Sequence, residues 1–433
     1  MTEYSIRSIS PDGITGMIFA MEGMQDTIVL LNGPMGCRFY HSSTSGFLMR
    51  RPLLYLPAGD KGERVPVDYN YLNDWFFRQE RVPCTYLDGY DYVYGTGEKA
   101  AEALQYIEKN IDFSILSIVN SPGAALIGDD LYGIAKKAVP NKPIVYLESP
   151  GYSVSFEEGY AKASLEMLKI MLKEAKKEDA GPGKADRAQA EKRNNVPGNE
   201  ADRRPVVNLL GLSIWHRYCE GDRKELKRLF DLCGIDVGAA LCADCSAEEL
   251  RSVPGADLNV VLYPQAGLAS AEYLKERFQT PYYVCDTLPV GFSAVEKMFS
   301  EISGILGTSD RKLKEESERA RALAWYKING IYQMYGKPKG VGFHVEASET
   351  LKKAYTAFLT GYLGMEQESF YNAELLFSDA NRISERALKD DDFCGIEIAL
   401  PGMGYTDLTV KTHMGIEGAL FLTEQVLNGI MSK

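Results

Sequence analysis

Cysteine is scarce in this chain, with 8 in 433 residues, which excludes a disulfide-built scaffold. Histidine is scarcer still, with 4. Basic residues are outnumbered, 48 Lys plus Arg against 60 Asp plus Glu, and the resulting formal charge of −12 excludes wholesale nucleic-acid binding, because a phosphate backbone selects basic surfaces. Long apolar runs are missing too: the longest uncharged stretch, Phe113 to Gly128, is too short to span a bilayer and is broken by Pro122 and Gly123. The opening residues Met1 to Arg7 contain no apolar signal core, so the expectation is a cytoplasmic chain without a membrane anchor, whose cysteines are buried hydrophobes, nucleophiles or metal ligands. There is no GxxxxGK[ST] stretch, hence no P-loop of the chain's own.

What is present is ordinary for a globular protein: 45% apolar and 25% charged residues, over a length that suits two to four domains. One segment stands apart. From Lys176 to Pro205 there is no aromatic residue and Val196 is the only branched aliphatic, so this stretch reads as a charged, flexible linker or insertion. Before it, apolar runs at Thr27 to Leu31, Tyr90 to Tyr94, Phe113 to Val119 and Pro143 to Leu147 read as strands alternating with helical patterns. After it the alternation resumes with Pro205 to Leu212, an amphipathic helix from Asp222 to Cys233, strands at Leu258 to Tyr263 and Pro281 to Val284, and a long helix from Glu315 to Tyr335. The pattern predicts an α/β protein of three Rossmann-like parallel-sheet domains with helices on both faces, the third one small. Boundaries are expected at 1–175, 206–335 and 336–433, with 176–205 as the linker.

The turn Gly33-Pro34-Met35-Gly36-Cys37 follows a strand and opens a helix-like stretch. A thiol among unpaired N–H groups at a helix start is expected to have a lowered pKa, which suits a metal ligand or a nucleophile; the alternative is a small residue buried under a tight turn. Cys84, in a pre-strand loop, is a ligand or a core thiol. Cys242 and Cys245 form a CxxC with neither a second CxxC nor a nearby histidine, which argues against zinc and leaves a redox pair open. Gly95 to Ala100 fits a degenerate GxGxxA dinucleotide turn, although no acidic residue ends a second strand at the required distance. His41, one helical turn beyond Cys37, and His216, at the carboxyl end of a strand, are candidate proton donors.

Three segments taken in order, Gly33 to Cys37, Asp91-Tyr92-Val93-Tyr94-Gly95-Thr96-Gly97-Glu98-Lys99 and Ser121 to Asp130, resemble the amino-terminal domain of the nitrogenase component 1 superfamily. By this resemblance Cys37 matches a shared cluster cysteine, and Cys84 is similar to the second ligand of β-type subunits. Ser121 stands where many members carry a third cysteine. The closing segment has Tyr405 where a cofactor histidine would fall, so no molybdenum cofactor is expected. The resemblance implies an iron–sulfur cluster, [4Fe–4S] or larger. Two cysteines per chain cannot complete four thiolates, whereas 2 × 2 = 4 across a twofold axis can, so the cluster is expected at a subunit interface. The partner would be an identical chain or a homologous component 1 chain, in a homodimer, a heterodimer or a heterotetramer. The implied function is the catalytic component of an ATP-dependent nitrogenase-like reductase, fed with electrons by a separate ATP-hydrolysing iron–sulfur component. The alternative within the superfamily is a metallocluster assembly or carrier scaffold; outside it, a nucleotide-binding protein using Gly95 to Ala100.

Overall fold

The computed structural model describes residues 11–38, 82–148, 154–173, 203–390, 392–402 and 404–432. His41 and nearly all of the segment 176–205 lie outside the described residues. The chain enters through α1 (Gly13–Glu22), whose ten residues are all buried and whose start is capped by the Asp12 carboxylate, which accepts the Thr15 N–H at 3.1 Å. Three strands follow, β1 (Thr27–Asn32), β2 (Ile115–Asn120) and β3 (Ile144–Glu148), parallel and in spatial order β1-β2-β3.

Both faces of this sheet are covered, as its uninterrupted apolar strands require. Val29, Leu31, Ile115 and Val119 face the main core, together with Phe19 of α1 and Phe156 and Met167 of a helix at Phe156–Met171. Their neighbours Ile28, Leu30, Leu116 and Ile118 face a second core, with Leu104 and Ile107 of a helix at Gly97–Asn110 and Ala135 of one at Leu131–Ala138. Side chains on alternate positions thus serve two cores.

Between β1 and β2 the run Tyr90 to Tyr94, expected as a strand, is part of helix α2 (Gly89–Tyr94). Asp88 caps it, and Asp91 returns a bond to the Asp88 N–H, a reciprocal capping box that overrides the strand preference of the Tyr and Val residues. Helices α3 (Gly97–Asn110), α4 (Pro122–Ala125), α5 (Leu131–Ala138) and α6 (Phe156–Met171) follow among the described residues of this part of the chain.

The second sheet holds β4 (Val206–Leu210), β5 (Asp236–Ala240), β6 (Leu258–Val261) and β7 (Tyr282–Val284), in spatial order β5-β4-β6-β7, with α7 (Cys219–Leu232), α8 (Ala247–Ser252), α9 (Pro264–Phe278), α10 (Phe292–Leu306) and α11 (Arg311–Tyr335). The third holds β8 (Gly342–Val345), β9 (Glu366–Gln367), β10 (Leu375–Ser378) and β11 (Cys394–Glu397), in order β11-β10-β8-β9, with α12 (Glu349–Gly361), α13 (Ala380–Ala387) and the closing α14 (Gly415–Met431). Every strand pairing within the three sheets is parallel. In the second sheet the strand order reverses between β4 and β6, and in the third between β8 and β10; such switch points open a crevice at the carboxyl ends of the strands. Among the described residues no helix is long and apolar enough to cross a membrane.

Candidate functional site

At the end of β1 the chain turns through Gly33 into a four-residue 3₁₀ turn, Met35–Arg38. Residues 82–87 run alongside: Leu31 N–H donates to Pro83 O at 2.9 Å, Thr85 N–H to Leu31 O at 3.0 Å, and Leu87 N–H to Gly33 O at 3.1 Å. This lays Cys84 against the Gly33 turn, where its Sγ donates to Gly33 O at 3.2 Å. From the other side comes Ser121, the cap of α4, whose Oγ accepts the Ala124 N–H at 3.4 Å. The three converge on Gly33: a Cβ there would sit 2.8 Å from Ser121 Cβ and Oγ and 3.9 Å from Cys37 Cβ. The structure therefore brings together Cys37, Cys84 and Ser121, which are far apart in sequence.

The Cys37 thiol is not activated. Burial, then the charges of Asp12 and Cys84, push it up to about 11. The expectation of a lowered thiol is overturned because Cys37, the third residue of a short 3₁₀ turn, is half-buried and desolvation dominates there. A Cys37 thiol held neutral by burial still suits ligation, since a metal supplies the positive charge that deprotonates its ligands. Two thiols and a hydroxyl around one glycine fit half of a four-thiolate cluster site.

The Gly95–Ala100 turn is bound from within. Asp129 accepts the Thr96 N–H at 2.5 Å and the Thr96 hydroxyl at 2.9 Å, so the protein's own carboxylate sits where a dinucleotide's pyrophosphate would. What precedes the turn is α2 rather than a strand, so the context of a dinucleotide fingerprint is missing. Lys99 ties α3 to α2 through Asp91 at 2.7 Å. Cys242 and Cys245 are fully buried, and Cys245 Sγ contacts Met24 Sδ at 3.3 Å; the pair is out of reach of thiol exchange.

A cleft of about 930 Å³ lies where the switch points of the second and third sheets meet the start of α6. Trp215, His216 and Arg217 follow β4, Tyr263 follows β6, Glu346 to Ser348 follow β8, and Asp379 to Arg382 follow β10. His216 stacks on Tyr263 with centroids 3.9 Å apart, and its Nδ1 accepts the Ser213 N–H at 3.2 Å. Burial, and next the nearby His413, lower its pKa to about 3, so the imidazole is neutral with its proton on Nε2. It can offer a hydrogen bond but not serve as an imidazolium acid.

Around it, Arg217 is held by Glu397 at 2.6 Å and Asp407 at 3.2 Å, and Arg382 grips Glu346 at 2.8 and 3.0 Å. His413 lines the cleft with Nδ1 3.0 Å from Tyr355 Oη and Nε2 3.1 Å from Asp222 Oδ2. Tyr405, exposed at the surface, accepts a hydrogen bond from Arg217 on its backbone carbonyl. Asp12 joins the two places: it lines the cleft, and its charge is felt at Cys37.

Sequence reasoning did not single out Tyr263, Asp222, His413, Arg217 or Arg382. One signal was available. Asp222 shares the apolar face of α7 with Leu226 and Leu229, and an acid on such a face must have a buried partner.

Comparison with known proteins agrees with this architecture. The sequence is 28% identical over 330 residues to a light-independent protochlorophyllide reductase subunit of Synechococcus sp. (strain WH7803), covering 75% of this chain and 59% of that one. To the same subunit of Synechococcus sp. (strain CC9311) it is 29% identical over 346 residues, covering 78% and 62%. The match thus spans about three fifths of the length of these relatives. A solved structure of nitrogenase Cp1 at pH 6.5 superposes with a TM-score of 0.66 at 15% identity, covering 98% of this chain and 92% of that one, which establishes a shared fold. The profile of the nitrogenase component 1 type oxidoreductases matches residues 13–369, and it is to this family that the chain belongs.

Proposed function

We propose that this chain is the catalytic component of a nitrogenase-like reductase, with Cys37 and Cys84 supplying half of the thiolates of an iron–sulfur cluster shared with a second component 1 chain. The three-domain division at 1–175, 206–335 and 336–433 belongs to the same reading, with one sheet inside each part. The observation that carries it is the convergence of Cys37, Cys84 and Ser121 on Gly33 within this fold. The cluster, when bound, supplies one-electron relay chemistry between an ATP-hydrolysing iron–sulfur reductase and the cleft.

What the chain's own residues do follows from their geometry. Gly33, with no side chain, leaves room for Ser121 and Cys37 beside it, and its carbonyl receives the Cys84 thiol. Exposed apolar side chains around this end, Met35, Tyr90, Val93, Tyr94 and Leu126, offer a surface for the partner chain. In the cleft, His216 presents Nε2–H as a fixed hydrogen-bond donor, Tyr263 and Trp215 provide aromatic surface, and Arg382 is anchored by Glu346. Imidazole, phenol and guanidinium groups beside aromatic rings suit an organic substrate held by stacking and hydrogen bonds. The relatives named as protochlorophyllide reductase subunits favour a substrate of that kind.

The test is iron and acid-labile sulfide analysis of protein prepared without oxygen. Cys37→Ala and Cys84→Ala should each lose most of both; full content in the two variants would overturn the reading. ATP hydrolysis coupled to product formation identifies a reductase, whereas release of the cluster to an acceptor apoprotein identifies the scaffold alternative.

A further inference from the structure

The three segments that carry Cys37, Cys84 and Ser121 leave different strands and loops, and no covalent link sets their spacing. One side chain touches all of them. Asn32 ends β1 immediately before Gly33; Thr85 immediately follows Cys84; Asn120 ends β2 immediately before Ser121 and pairs with Asn32 in register. The Asn32 Oδ1 accepts the Thr85 hydroxyl at 3.0 Å. Its amide nitrogen donates to Asn120 Oδ1 at 3.0 Å and to Thr96 Oγ1 at 3.3 Å. Thr85 Oγ1 in turn accepts the Gly33 N–H at 3.1 Å. The network continues outward from Asn120 to Tyr146 Oη at 3.3 Å and from there to Glu148 at 2.8 Å, and from Thr96 to Asp129.

Asn32 and Thr96 are completely buried, and Asn120 and Thr85 nearly so. The carboxyl end of a strand covered on both faces would be cheaper to fill with an aliphatic side chain, because each buried amide must find every partner in a low-dielectric setting. Here both donors and one acceptor of a single amide are satisfied, each by a residue adjacent in sequence to a candidate ligand or by the Gly95–Ala100 turn beside them. A planar amide with three fixed partners leaves the loops little freedom to slide relative to one another.

We propose that Asn32 is the positioning residue of the metal site, holding the Cys37, Cys84 and Ser121 segments at the separation that a cluster requires without touching the cluster itself. This rests on the reading of Cys37 and Cys84 as ligands. Outer-shell groups of this kind set metal affinity and electronic properties through the orientation of the ligands.

The experiment uses the full-length chain prepared without oxygen and reads iron retention against a chelator, acid-labile sulfide and the reduction midpoint of the bound cluster, all normalised to folded protein. Asn32→Leu removes all three hydrogen bonds; Asn32→Asp keeps the acceptor for Thr85 and loses both donors. Both variants should hold iron roughly 10- to 100-fold more weakly, the scale of outer-shell substitutions, and whatever cluster remains should have a displaced midpoint. A merely structural Asn32 would lower thermal stability while leaving the iron per folded chain and the midpoint at wild-type values. That result, alongside iron loss in Cys37→Ala and Cys84→Ala, overturns the proposal and leaves the ligand reading standing. Full iron in the two cysteine variants overturns the ligand reading first and this proposal with it. Should Asn32→Leu not fold, Asn32→Asp and Asn120→Asp decide by the same criteria.

Discussion

The imidazole of His216 lies on the ring of Tyr263 and takes the Ser213 N–H on Nδ1, and burial, then the nearby His413, sets its titration. Unfolded, it titrates near the usual 6.5; folded, near 3. Below about pH 6.5 the unfolded chain takes up a proton that the folded chain refuses. The stability this residue contributes is therefore complete above about 6.5 and is lost as pH falls towards 3, with a slope of about 1.4 kcal/mol per pH unit. Urea unfolding of wild type and His216→Gln between about pH 7 and 4 should show a shallower acid limb in the variant; parallel curves would mean that His216 is not held neutral. At this scale the sequence offered Cys37 and Cys84 as candidates through the motifs near them, and the structure brings both to the Gly33 turn. The environment of Cys37 was not legible: a helix-start thiol and a half-buried 3₁₀ thiol look alike in sequence, and the burial comes from elsewhere in the fold. Tyr263, Asp222 and His413 come together from separate parts of the chain, and of the three only Asp222, an acid on the apolar face of α7, gives a local sign of a buried partner.

Among the elements, strand and helix alternation was readable wherever amphipathic helices flanked apolar strands, as at α7, where Leu226, Leu229 and Phe230 share one face. α1 gave no such signal. It is buried all round, so Ile14, Met17, Ile18, Phe19 and Met21 leave no polar stripe to define a period. Its role is set by glycine. A Cβ on Gly16 would lie 2.0 Å from Phe156 O, and one on Gly159 would lie 2.1 Å from Gly13 O, so α1 and α6 cross with their backbones in contact. Gly16→Ala should then cost about 3 kcal/mol, the upper end for overpacking. Gly304, exposed on α10 with open space where a Cβ would go, provides the contrast. Gly304→Ala should stabilise by about 0.5–1 kcal/mol, because only the unfolded-state entropy and helix propensity change. Opposite shifts in the thermal midpoint are the expected result; equal shifts would remove the close crossing as the reason for Gly16.

At the scale of the whole molecule, two groups of exposed apolar side chains stand out among the described residues. One surrounds the Gly33 turn, where Val93, Tyr94 and Leu126 are 73%, 72% and 89% exposed, and where α2 meets α4 because Tyr92 lies 3.2 Å from the place of a Cβ on Gly123. The other lies on α11, with Trp325, Tyr326, Met334 and Tyr335 all exposed. Single exposed apolar side chains are ordinary, whereas large ones grouped together are candidate contact surfaces for other chains. The first surface shares its turn with Cys37, and a cluster completed by thiolates from two chains makes assembly and metal content one equilibrium. Tyr94→Asp combined with Leu126→Asp introduces two charges into that contact without altering a proposed ligand. In sedimentation velocity the doubly substituted chain should shift towards the 48.1 kDa monomer and lose its iron in parallel. Trp325→Asp, on α11, is the comparison. If it disperses the assembly while the iron stays bound, α11 joins units that already hold complete clusters. If the doubly substituted chain becomes monomeric with full iron, one chain suffices for the cluster, and the twofold account of its two cysteines is wrong.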